Sequence, residues 1–174
     1  MDYKEYKIED KKLVNLEELK SNPMTREDYI KAHRDTIIAC ADVIIWYNLG
    51  FLLVQRDNFP GKGELWAIGG RILRGSSVEE NIIKKAKLEC NLDLKNLKLL
   101  SIRRTSFKTD PFNHGKGTDT INFMYYAEGF GEIKLDSIHS KPTILTKSQY
   151  KKIKDLLHPY IVDFIEMAFK ERRL

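Results

Sequence analysis

Apolar positions along this chain follow two periods. Ile37 to Trp46 reads IIACADVIIW, an almost unbroken apolar run of the kind that forms a strand buried on both faces. Tyr47-Asn48-Leu49-Gly50 is a hairpin-turn sequence, and Phe51–Gln55 is its return strand, ended by Arg56. Trp66, Ala67 and Ile68 make a further short strand, stopped by Gly69-Gly70 in what reads as a tight turn. There the period changes. Val78, Ile82 and Ala86 recur at helical spacing and predict an amphipathic helix starting near Val78. Either of two capping boxes, Ser77 with Glu80 or Ser76 with Glu79, could open it. Strands are predicted again over Leu94–Phe107 and Ile121–Ala127, with Phe130 to Lys134 running on toward a turn at Leu135-Asp136. Thr146 with Gln149 opens a C-terminal helical region striped by Tyr150, Ile153, Leu157, Ile161, Phe164 and Ala168, which Pro159 must kink or split. Thr25-Arg26-Glu27-Asp28 opens a short helix through about Arg34. Residues 1–24, rich in Lys and Glu, read as an N-terminal extension to one domain over 25–174. Hairpins, a strand–turn–helix centre and a C-terminal helix together predict an α+β fold.

A few polar residues break these patterns. Glu89 shares the apolar face of the predicted helix and lies in its last turn, where the helix dipole disfavours a carboxylate. Such a carboxylate needs a cation, either a neighbouring Arg or Lys or a metal ion. Asp42 interrupts the first strand, so it either answers a buried Arg or binds a polar group of a ligand. Arg56 ends one strand and Arg71 follows the glycines of its neighbour; an exposed Arg is usually a solvated side chain, and two at the ends of neighbouring strands mark a candidate anion site. Thr109–Gly117 is a polar, glycine-containing loop that could close over a substrate. His139 stands alone between the last strands, as a solvated side chain or as a catalyst.

The stretch Trp66 to Leu92, WAIGGRILRGSSVEENIIKKAKLECNL, resembles a degenerate Nudix box. Counted from Gly70, Ser76 falls at the first Glu of such a box, Lys84 at its Arg and Lys85 at the next Glu. Leu88 falls at the penultimate Glu, Glu89 at the last one, Asn91 at the closing Gly and Leu92 at the final apolar position. The chain looks most like one branch of the superfamily, the GDP-mannose mannosyl hydrolases. Their box has also lost most of its glutamates and opens with Gly-Gly-Arg, as Gly69-Gly70-Arg71 do here. The likeness covers about residues 27 to 150, and Gly117-Thr118-Asp119 and Leu145-Thr146 repeat other residues of that family.

This resemblance implies a Nudix fold, a mixed β-sheet sandwiched between α-helices. It also implies a hydrolase that attacks the anomeric carbon of a nucleotide sugar such as GDP-mannose, releasing nucleoside diphosphate and free sugar. In that scheme one Mg²⁺ is held by the Glu89 carboxylate and the Gly69 carbonyl, and His139 is the general base. Arg56 and Arg71 stabilise the departing diphosphate, while Asp42 and Asp119 help hold the substrate. Several residues depart from the scheme. Ser76, Lys85 and Leu88 remove the carboxylates that a metal cluster would need, so ordinary pyrophosphohydrolysis is not expected. Ile138 replaces a Gln metal ligand, and Lys84 lacks the bidentate fork of the box Arg. The family's substrate-site His has no counterpart in register, where Thr109 stands instead and His114 is not aligned. The other reading is a catalytically silent Nudix-like module that binds a nucleotide or a protein. A metal at Glu89 and Gly69 would favour the enzyme, and a site plugged by Ile138 or Lys85 would favour the module.

Composition adds little to this. Charged residues at 32% and hydrophobic ones at 42% are ordinary for a globular protein, and the net charge of +5 favours anionic ligands in general. Arg103-Arg104 without interleaved aromatics is a poor nucleic-acid signal. Cys40 and Cys90 form no disulfide framework, and no run has membrane-spanning length, so a cytoplasmic protein with reduced thiols and no membrane partner is expected. The related hydrolases dimerise, and the N-terminal extension could serve a homodimer.

Overall fold

Strand β3 (Ile38–Tyr47) is the spine of a seven-stranded mixed sheet in the computed structural model, which describes residues 3–173. Its apolar run lets both faces of the sheet be covered. The second half of β3 pairs antiparallel with β4 (Gly50–Arg56) across the Asn48-Leu49 turn. Its first half pairs antiparallel with β6 (Ile68–Arg71). Along the other side, β8 (Thr118–Phe130) runs parallel to nearly all of β3, and β7 (Asp93–Phe107) completes that edge antiparallel to β8. The short strand β5 (Leu65–Trp66) and β9 (His139–Leu145) both pair with β4.

Period-two alternation splits the core into two layers. Ala41, Val43 and Ile45 face helix α2 (Val78–Cys90) with Leu52 and Val54, while Ile44, Phe51 and Leu53 face helix α4 (Pro159–Glu171). Helix α3 (Lys147–Ile153) precedes α4, and Pro159 separates the two as the first residue of α4, where a missing N–H costs nothing. The α+β class is therefore as expected, with helices on both sides of a mixed sheet. No described helix is long and apolar enough to cross a membrane.

Helix α2 begins at the inner of the two candidate caps. Ser77 accepts from the Glu80 N–H, and the Glu80 carboxylate accepts from the Ser77 N–H, which closes the capping box. The stripe of Val78, Ile82, Ala86 and Glu89 is buried, as its spacing requires. At the C-terminus, Asn91 adopts the left-handed conformation, and the loop after β8 returns over the helix end. The Lys134 and Asp136 N–H groups donate to the Cys90 and Glu89 carbonyls, satisfying groups that a helix end leaves open. Part of the N-terminal stretch also docks against α2. Glu5 accepts from the Val78 N–H, and the Tyr3 ring packs edge-on against Phe123, ahead of a small hairpin of β1 (Ile8–Glu9) and β2 (Lys12–Leu13). Helix α1 (Arg26–Asp35) follows, capped by Thr25.

One expected turn is absent. Gly69-Gly70 does not turn the chain but continues it as β6, with Gly69 opposite Asp42 and Gly70 opposite Ala41. The break in the strand lies one step earlier, at Ala67, where the chain passes from beside β4 to beside β3. Glycine is needed here for close approach, because a Cβ on Gly69 would stand 2.2 Å from the Asp42 Oδ1 and 2.5 Å from the Ala41 carbonyl oxygen.

The capping geometry separates two adjacent serines. Ser77→Ala should lower the unfolding free energy by about 1 kcal/mol in urea titration. Ser76→Ala should leave it within about 0.5 kcal/mol of the natural protein. Equal losses for the two would contradict the assigned cap.

Candidate functional site

A cavity of about 590 Å³ opens on the α4 side of the sheet. Its floor is made by alternate residues of three strands: Cys40 and Asp42 of β3, Thr118, Thr120 and Asn122 of β8, and Thr105 and Phe107 of β7. Helix α1 and the loops after β4 and β7 form its walls. The floor is polar and internally bonded. Asn122 donates from Nδ2 to the hydroxyls of Thr105 and Thr120 at 3.1 and 3.0 Å, and those hydroxyls lie 2.7 Å apart.

Asp42 is the most constrained group in the cavity. Gly69 makes room for its carboxylate, and the Tyr160 hydroxyl of α4 donates to Oδ2 at 2.7 Å. Burial pushes this carboxyl up to about 6, against the pull of the Tyr160 hydrogen bond and the Arg56 guanidinium. The same burial, with Asp42 beside it, drives the Tyr160 phenol well above its ordinary value. Burial also pushes the Cys40 thiol up to about 12, so it is a neutral wall and not a nucleophile.

Arg56 and Arg71 both reach the cavity. Arg56 is half-buried, donating from Nε to the Pro60 carbonyl at 2.7 Å and from Nη2 to Asn58 Oδ1 at 3.3 Å. Its own loop thus holds the guanidinium in place. Burial lowers its pKa, opposed by Asp42 and Glu89. Arg71 lies over the Tyr29 ring, 3.9 Å from its centroid. The ion pairs made by other arginines, such as Arg104 with Asp119 and Arg172 with Glu128, have no counterpart at Arg56 or Arg71 among the described residues.

Glu89 has found its cation. Lys85, one turn earlier on α2, places Nζ 3.0 Å from Glu89 Oε1. Glu89 Oε2 is buried with no hydrogen-bond partner. Gly69 lines the cavity, whereas Glu89 lies behind the glycines and does not. This arrangement does not fit the Mg²⁺ that the resemblance implied. The carboxylate is already neutralised by an ammonium, and Asp42 Oδ2 is engaged by Tyr160. Among the described residues no three His, Cys, Asp or Glu side chains are grouped to hold a metal ion. A dication bound there would stand beside Lys85 in a poorly solvated site.

The other expected residues lie elsewhere. His139 is not in a loop but is the buried first residue of β9, opposite Arg56. Its Nδ1 is 2.8 Å from Asp136 Oδ1, and the ring does not line the cavity. Strand pairing fixes the backbone there, and Asp136 takes Nδ1 of the ring. Asp119 alternates with Thr118 and Thr120 along β8 and therefore projects from the opposite face. There it forms a two-pronged pair with Arg104, at 2.9 and 2.6 Å. Ile138 is 42% exposed and plugs nothing.

Three groups at the cavity were not singled out from the sequence. One is Tyr160. Another is the floor of Thr105, Thr120 and Asn122, for which the period-two spacing of Thr118, Thr120 and Asn122 was a usable signal. The third is an aromatic corner of Tyr29, His33 and Phe112, whose rings meet edge-to-face at 5.3 to 6.1 Å. The four-residue spacing of Tyr29 and His33 on α1 could have shown that pair. His114 approaches from the loop: the Lys116 N–H donates to its Nδ1, and its Nε2 lies 2.8 Å from His33 Nδ1. Burial, then His114, lowers the His33 pKa, so the ring is neutral at pH 7.

No protein-family model and no curated protein sequence matches the chain. Solved structures do. The NUDIX domain of Shewanella oneidensis NrtR, complexed with ADP ribose, superposes with a TM-score of 0.63 at 17% identity, over 87% of this chain and 100% of that one. A NUDIX hydrolase from Nitrosomonas europaea gives 0.62 at 16% identity, over 78% and 90%. A bifunctional NMN adenylyltransferase/ADP ribose pyrophosphatase from Francisella tularensis also gives 0.62, at 18% identity, with 84% of this chain matching 44% of that one. The chain has the Nudix hydrolase fold.

The raised Asp42 carboxyl has a consequence for stability. A carboxyl whose pKa is higher when folded contributes stability that is complete below its unfolded value of 3.8 and lost as pH rises through about 6. Asp42→Asn keeps an acceptor for Tyr160 and removes the buried charge. Its unfolding free energy should exceed that of the natural protein by about 3 kcal/mol at pH 7. The difference should vanish by about pH 4. Urea titration at the two pH values measures this, and a variant less stable at pH 7 would contradict it.

Proposed function

We propose that this protein is a Nudix-fold module that binds a nucleoside diphosphate joined to a sugar. The observation that carries the reading is the pair Arg56 and Arg71. Both guanidinium groups line the cavity without a carboxylate ion pair among the described residues, and both are held by local contacts. Two such groups match the two phosphates of a diphosphate bridge, each able to make charge-assisted, bidentate hydrogen bonds. The hydroxyl and amide floor of Thr105, Thr120 and Asn122 offers donors and acceptors for sugar hydroxyls. The corner of Tyr29 and Phe112 supplies aromatic surface for a base. The NrtR domain named above is complexed with ADP ribose, a ligand with all three of these parts. The expected GDP-mannose has the same parts. The paired Lys85 and Glu89 favour binding over the Mg²⁺-dependent hydrolysis that the sequence put first.

One observation favours a second reading, hydrolysis at the sugar without a resident metal. The Asp42 carboxyl stands in the cavity and exchanges its proton near pH 6. As carboxylate it would accept a proton from water while the water oxygen bonds to the anomeric carbon. The bond from that carbon to the phosphate oxygen would break, and the nucleoside diphosphate would leave with the electron pair, stabilised by Arg56 and Arg71.

Calorimetric titration with ADP-ribose and GDP-mannose tests the binding reading. At least one should bind, and Arg56→Ala or Arg71→Ala should each weaken it by about tenfold or more. Undiminished affinity in both variants would remove the arginines from the site. Product analysis in the same samples separates the two readings: unchanged ligand supports the binding module, and nucleoside diphosphate with free sugar supports attack at carbon. Nucleoside monophosphate with sugar phosphate would contradict both.

A further inference from the structure

We infer that the Lys85 ammonium is a cation built into this site, standing in for a free divalent ion, so that a nucleoside diphosphate binds without metal. The inference rests on the functional reading above and on three observations about Lys85. Its Nζ lies 3.0 Å from Glu89 Oε1, on the one buried carboxylate that α2 turns toward the glycine strand. It also lies directly under Gly70, since a Cβ there would stand 3.4 Å from Nζ. Gly70 lines the cavity and Lys85 does not: the ammonium sits on the α2 face of that strand, with the Gly70 backbone and no side chain between it and the cavity. Finally, the Lys85 side chain is 33% exposed while that of Glu89 is 6% exposed, so the carboxylate is the inner member of the pair and the ammonium the outer.

The local charge count agrees with this. Asp42 and Glu89 are the two carboxylates around the glycines, and Arg56, Arg71 and Lys85 are the three cations that act on this cluster, while Asp57 and Lys62, which also line the cavity, offset each other. With both acids ionised, one positive charge is left over to meet a diphosphate. A tethered ammonium acts as a point charge with three donors, so Glu89 can hold it while it still attracts an anion across Gly70. Glu89 Oε2 has no hydrogen-bond partner, so Lys85 is the one cation in direct contact with that carboxylate among the described residues. Removing the ammonium would leave both oxygens without a cation.

Charge reversal tests this with a readout separate from turnover. Mn²⁺ binding, followed by electron paramagnetic resonance, would be compared in the natural protein and in Lys85→Glu, with circular dichroism confirming the fold of each. The natural protein should show no site at Glu89, and K85E should bind Mn²⁺ about tenfold more tightly or better. Equal Mn²⁺ affinity in the two would overturn the inference. Two facing carboxylates can prevent folding, so Lys85→Gln is the second variant. It keeps a hydrogen bond to Glu89 and loses the charge. Its affinity for ADP-ribose or GDP-mannose in EDTA should fall by about tenfold and recover in part when Mg²⁺ is added. Unchanged affinity would overturn the inference. If the natural protein bound neither ligand, the functional reading would fail, and the Mn²⁺ comparison would still decide the role of Lys85.

Discussion

The site depends on how closely β6 passes β3. Gly69 stands opposite Asp42 with no space for a Cβ between them, and that contact sets everything around it. It holds the Asp42 carboxylate on the sheet, where Tyr160 of α4 can reach it. Gly70, the next residue, lies against the Lys85 ammonium of α2, and Arg71, one further on, emerges over the Tyr29 ring of α1. Three consecutive residues of one strand thus tie together both helical layers and α1. Their backbone pairing with β3 is the rigid part, and the charged side chains are arranged on it.

Electrostatics gives the site its character. Two carboxylates and three cations share a poorly solvated region, where an unpaired charge would be expensive. Each has a stated partner: Asp42 takes the Tyr160 hydroxyl, Glu89 takes Lys85, Arg56 takes its own loop and Arg71 takes an aromatic face. None of the three cations is neutralised beyond what one carboxylate can supply. The cavity is therefore prepared for an anion. Lys85 supplies its charge one turn before the buried glutamate of α2.

Much of this was legible from the chain. The apolar run of β3, the switch to helical spacing at Val78 and the splitting of the last helix at Pro159 all follow from local pattern, and the structure has them. Glu89 was readable as an inward carboxylate in need of a cation, because helical geometry fixes which face it shares. Its partner was less so, since Lys85 and a metal ion satisfy the same physics. Gly69-Gly70 misled because glycine permits both turns and close strand contacts, and only the facing Asp42 decides between them. Asp119 was misplaced because a motif match gives a position and says nothing of the face; alternation from Thr118 would have turned it outward. Tyr160 was not foreseeable, as it meets Asp42 across 118 residues of sequence. Nor was the contact of the His139 ring with Asp136, because Asp136 belongs to a loop whose path is set by the end of α2.

One titration of the natural protein shows whether this site carries its own cation. ADP-ribose and GDP-mannose would be titrated calorimetrically, once in EDTA and once in millimolar Mg²⁺, at pH 7 and fixed ionic strength. A built-in cation gives the same dissociation constant in both buffers for whichever ligand binds. Binding that appears only with Mg²⁺ would contradict it, and would mean that Glu89 releases Lys85 to take a metal.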